Sequence, residues 1–132
     1  MSRLPDWRDR LRDVITAHAK KSFKWGEQDC CVFAAECYKA QTGIDPLQQW
    51  RGQYSDIRTA RRLMVPYGGL RGSLESVFGE PHKRAPEDGD VLLLDTQLGD
   101  AVGVFADGRA LSTGPSGLTP IPYANIKAVW GV

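Results

Sequence analysis

The feature that most constrains this chain is a change of pattern at Gly79. Before it, apolar residues recur three and four positions apart, the signature of helices with one buried face. From Gly79 to Gly89 turn formers dominate, and beyond them short apolar runs alternate with glycine, aspartate and proline. Helices followed by strands in two blocks give an α+β fold rather than an alternating α/β one. The expected arrangement is one domain over residues 1–132, with a helical part over about 1–78 and a small five-stranded antiparallel sheet over about 89–132.

Within the first block, Leu4, Trp7, Leu11, Val14, Ile15 and His18 share a helical stripe, with Arg8, Arg10, Arg12 and Asp13 opposite. This predicts an outer helix over Ser2–Ala19 opened by Pro5, with His18 as a packed residue. A second helix should run from Cys30 to about Gln41 and stop at Gly43. Ser55 or Asp56 can cap a third, reaching about Val65 with Ile57, Ala60, Leu63 and Met64 inward, and Pro66 with Gly68-Gly69 ends it. A short helix at about Ser73–Phe78 should bury Leu74, Val77 and Phe78. Five strands follow, at Val91–Leu94, Ala101–Phe105, Arg109–Thr113, Leu118–Pro120 and Ala128–Val132. Asp107-Gly108 is a strong hairpin signal, because both residues tolerate the left-handed turn conformation.

Charge and cysteine usage then remove several function classes. Lysine and arginine number 17 against 16 acidic residues, a net charge of +1, so no field draws the chain to nucleic acid or anionic lipid. No run of about 18 apolar residues and no basic, apolar leader at Met1 is present, so neither a membrane span nor a signal peptide is expected. Three cysteines, two of them adjacent, do not make a disulfide framework. Cys30, Cys31 and Cys37 with His18 or His82 lack the spacing of a zinc site, so no metal is expected. The segments 67–70 and 112–117 are glycine-rich but lack the Lys-Ser/Thr ending of a phosphate loop, and no cofactor is implied. Trp25, Trp50, Tyr54 and Trp130 read as core or rim aromatics, and any exposed ones, with Arg51, as interface anchors.

One stretch carries chemical potential: Phe23 to Cys37, FKWGEQDCCVFAAEC. With Asp29 as N-cap, accepting from the N–H of Cys31 or Val32, Cys30 becomes the first helical residue. Unpaired N–H groups and the positive end of the helix dipole favour a thiolate there. Cys30, Ala34 and Cys37 share one face. A plainer reading makes all three cysteines small core residues, since free cysteine is among the most buried types.

The pattern D-C after W-G, then P-x-x-G-D-V-L-L-L and A-V-G-V-F, resembles the NlpC-like branch of the papain-like cysteine peptidases, known chiefly as peptidoglycan endopeptidases. The pieces F-x-W-G-x-x-D-C, T-G-x-D-P, R-G-x-Y and the closing A-V-W are more particularly similar to small NlpC-like proteins of phage and prophage tail modules. The resemblance implies Cys30 as nucleophile, Gly89 and Asp90 as the G-D pair opening the first strand, and Trp25, Gly26 and Asp29 as supporting residues. It places the general-base histidine at Ala101 and the third polar group at Thr113. Alanine cannot accept a proton, and general-base assistance is worth about 10²–10⁴-fold. Asp100 should face away from Ala101's side, because neighbouring strand residues alternate.

Two functions follow as expectations. The first is a catalytically degenerate NlpC-like domain serving as a structural or assembly component of a phage tail tip, with other tail proteins as partners, in the virion tail or in the host cytoplasm during assembly. The second is an active cysteine hydrolase of peptidoglycan that uses Cys30 and an unrecognised base, His18 or His82, while the phage genome enters the host.

Overall fold

The computed structural model describes residues 3–132. Four helices, α1 (Trp7–His18), α2 (Cys30–Thr42), α3 (Ile57–Met64) and α4 (Leu70–Phe78), precede five strands. These are β1 (Val91–Thr96), β2 (Gly99–Ala106), β3 (Arg109–Gly114), β4 (Gly117–Ile121) and β5 (Ile126–Trp130), paired antiparallel in the order β4-β3-β2-β1-β5. The fold is therefore α+β. Among the described residues no helix is long and apolar enough to cross a membrane.

β1 is the spine of the sheet. Val91, Leu92, Leu93 and Leu94 are all at most 1 % exposed, and their alternation divides them between two cores. Val91 and Leu93 face α2, packing with Phe33, Ala34 and Cys37, and with Trp130 from β5. Leu92 and Leu94 face the other way, against Phe105, Ala110 and Val129. Burying one such side chain stabilises the fold by roughly 1.5–3 kcal/mol, so this short strand anchors much of the domain. Trp130 also donates its indole N–H to the Gly79 carbonyl at 2.8 Å, tying β5 to the end of α4.

α1 starts at Trp7, later than expected, because Pro5 and Asp6 form a turn ahead of it; Ser2, the expected first residue, lies outside the described residues. The Leu4 N–H donates to the Gln41 carbonyl at 2.7 Å, so the chain before α1 is held on α2. α2 opens and closes where expected, with Gly43 left-handed at its C-terminus. β5 starts at Ile126 and ends at Trp130, two residues short of the expected Val132, after a 3₁₀ turn over Tyr123–Asn125.

The second helical pair departs further from expectation. Asp56 caps α3 with a reciprocal capping box to Thr59, and a 3₁₀ turn over Val65–Tyr67 leads to α4. α4 begins at Leu70, not Ser73. Gly72 sits inside the helix, where a Cβ would collide with the Tyr67 carbonyl oxygen. Ile57 and Val77, both expected inward, are 45 % and 37 % exposed. They line an open cleft between the α3–α4 arm and the body of the domain. Their periodicity is real, but the surface they face is not closed.

Candidate functional site

The site is built from the turn before α2. Gly26, at φ +81°, takes a conformation that side chains disfavour, and a Cβ there would stand 2.8 Å from the Tyr54 carbonyl oxygen. The turn aims the Gly26 N–H at Asp29 Oδ2, 2.8 Å away, while Asp29 Oδ1 accepts from the Val32 N–H at 2.8 Å. The Tyr54 hydroxyl donates to the same Oδ2 at 2.7 Å. Asp29 is thus the expected N-cap with two further donors, and it is 1 % exposed. Burial, and the advantage of keeping its proton on Asp29, push the Tyr54 phenol well above its ordinary range. Tyr54 has no sequence spacing that announces this role. Trp25 packs edge-on against Phe23, with centroids 5.0 Å apart, and both line the cleft.

Cys30 is the first residue of α2 and partly buried. A hydrogen bond from the Cys31 thiol holds the Cys30 thiol below its ordinary value. The backbone N–H of Val102 on β2 acts in the same direction, outweighing burial and the nearby Asp29 carboxylate. Cys31, as the donor and as a partly buried, desolvated thiol beside Cys30, is pushed well up. Cys37, in the core, is also pushed up by burial. The three cysteines therefore divide into one activated thiol, its donor and an inert packing residue. The Cys31 and Val102 donors were not legible in the sequence, because one needs side-chain rotamers and the other a contact across 72 residues.

Cys30, Ala101 and Thr113 all line the same cleft, so the three positions implied by the resemblance are brought together. Ala101 pairs with Leu94 in the β1–β2 ladder, next to the Val102 N–H that approaches the sulfur. The β2–β3 ladder ends at Val104–Leu111, and beyond it Ser112 Oγ donates to the Val102 carbonyl at 2.8 Å. Thr113 Oγ1 is buried there with no hydrogen-bond partner among the described residues. That is unusual for a hydroxyl, which loses roughly 1–3 kcal/mol when desolvated unpaired. Asp100 also lines the cleft, with its carboxylate 2.9 Å from Lys127 Nζ.

Neither histidine reaches this site. His18 is buried, donating from Nδ1 to Gln28 Oε1 at 2.5 Å and packing on the Phe33 ring. His82 lies beside β5, its N–H donating to the Val129 carbonyl at 2.7 Å. Neither lines the cleft.

Gly89 and Asp90 are placed away from the thiol. Asp90, fully buried, accepts from Arg84 Nη1 at 2.8 Å and the Glu87 N–H at 2.9 Å. Gly89, at φ +90°, leaves room for the Gln41 side chain, whose Nε2 bridges the carbonyls of Cys37 and Gly89 at 3.1 Å each. The pair fastens the start of β1 to the end of α2. Their role is architectural. Arg51, expected as an interface anchor, is held by Asp45 at 2.6 Å and Glu36 at 3.1 Å.

Fold and site together define an α+β domain organised around a helix-start thiol that faces the second strand of an antiparallel sheet. The chain belongs to the family described as a domain of unknown function, DUF6950, which it matches over residues 2–132. No curated protein matches the chain.

Proposed function

We propose that this domain is a papain-like fold of the NlpC type whose hydrolytic site has been retired, and that it serves as a structural or assembly component of a phage tail tip. The observation that carries the reading is the surroundings of the Cys30 sulfur. The groups hydrogen-bonded to it, the Cys31 thiol and the Val102 N–H, are donors; the nearby Asp29 carboxylate already accepts three hydrogen bonds; and the wall position of the expected base is Ala101. A hydrolytic thiol needs a proton acceptor within hydrogen-bond reach, and neither imidazole supplies one: the His18 ring is bonded to Gln28, and His82, beside β5, does not line the cleft. The tail assignment is supported by the motifs shared with small tail-module proteins.

One observation favours the second reading, an active peptidoglycan hydrolase: the Cys30 thiol is held below its ordinary value at a helix N-terminus. Activation alone supplies a nucleophile but no acid for the leaving amine. The two readings separate on purified peptidoglycan and an electrophilic activity probe, with wild type compared against Cys30→Ala. The retired site predicts no release of muropeptides from either protein. Cleavage by wild type that disappears in Cys30→Ala contradicts it.

A further inference from the structure

We propose that the cleft above Cys30 is the docking groove for an amphipathic, acidic helix of a partner protein. The proposal deepens the assembly reading above and rests on it. The cleft measures about 1460 Å³, beyond the roughly 300–1,000 Å³ of small-molecule sites. At a helix diameter of about 10 Å and a rise of 1.5 Å per residue, that space matches about a dozen residues of helix.

Its lips are apolar and open. Ile57 on α3, Val77 on α4 and Phe23 before α2 are all more than one-third exposed, and Leu98 at the β1–β2 hairpin tip is fully exposed. Trp50 and Met64 line the same space, an aromatic and methionine content typical of protein interfaces rather than of bare surface. Anchors set at several depths along a groove are what a helix with apolar residues at i, i+3, i+4 and i+7 engages.

Charge selects the partner. Two carboxylates line the cleft, and both are committed: Asp29 holds three donors and Asp100 pairs with Lys127. Arg61 on α3 lines it as well, and among the described residues it is in no ion pair. An incoming acidic flank meets the unpaired Arg61 guanidinium, whereas a basic flank meets that like charge and carboxylates that already have partners.

The test uses the whole chain and two designed peptides of about 18 residues, with the same leucine stripe and either glutamate or lysine on the remaining faces. Binding is followed through the fluorescence of Trp25 and Trp50, which line the groove, and by calorimetry. The acidic peptide is expected to bind about tenfold or more tighter than the basic one. Arg61→Glu should remove that preference, and Ile57→Glu should weaken both peptides, each change falling at an exposed position that leaves the fold intact. An acidic peptide that does not bind, or that binds no better than the basic one, overturns the proposal. Peptidoglycan release by wild type but not by Cys30→Ala would instead sink the non-enzymatic reading, whatever the peptides do.

Discussion

Replacing Asp29 with alanine tests whether the turn before α2 is held as described. Asp29 accepts three hydrogen bonds, from the Gly26 N–H, the Val32 N–H and the Tyr54 hydroxyl, and it is almost wholly buried. Loss of the N-cap alone costs about 1 kcal/mol. The Gly26 and Tyr54 donors are then left facing a methyl group, at about 1–3 kcal/mol each. Relief of the desolvation of a buried carboxylate offsets part of this, so we expect a net loss of about 3–4 kcal/mol. That is a large share of the roughly 5–15 kcal/mol that stabilises a domain of this size. Asp29→Asn keeps an acceptor for the Val32 N–H and a good cap, and should cost about half as much. Urea unfolding of the three proteins, at constant m, measures both differences. A loss below about 1 kcal/mol for Asp29→Ala, or an equal loss for both variants, would refute the three-donor account.

Removing the donor in Cys31→Ala should shift the pH profile of Cys30 alkylation towards higher pH, because the depressed thiol loses its largest source of stabilisation. At neutral pH the iodoacetamide rate should fall roughly fivefold, the equivalent of about 1 kcal/mol for one hydrogen bond; an unchanged profile would assign the activation to the helix terminus alone. Gly72→Ala should destabilise by about 1–3 kcal/mol despite the better helix propensity of alanine, because the added methyl falls on the Tyr67 carbonyl. Thermal melts measure the loss, and the fluorescence of Trp50, which packs on Tyr67, reports the local displacement.

Much of the fold was legible because its signals are local. The Asp29 cap, the Gly43 stop, the Asp107-Gly108 hairpin and the apolar run of β1 each depend on residues within a few positions of one another. Leu70 to Gly72 was missed for the opposite reason. Gly72 is small to admit the neighbouring backbone, a tertiary demand that no local spacing reports. Ile57 and Val77 show that periodicity identifies an apolar face without saying whether anything covers it. In the site, the positions of Cys30, Ala101 and Thr113 came from motif resemblance, and the cleft does bring them together. What surrounds the sulfur, and the Tyr54 bond to Asp29, depend on contacts between segments that share no spacing rule.

The central claim is that Cys30 lacks a base because position 101 holds an alanine, and Ala101→His tests it most directly. The alanine lies on the open cleft, and the unpartnered Thr113 hydroxyl is available to orient an imidazole. The donors around Cys30 favour the thiolate but none of them takes up its proton, so a thiolate–imidazolium pair should raise the rate of Cys30 alkylation at neutral pH further, by about tenfold. The account predicts that rise in Ala101→His and its loss in Ala101→His with Cys30→Ala. A Cys30 alkylation rate in Ala101→His equal to that of wild type would contradict it.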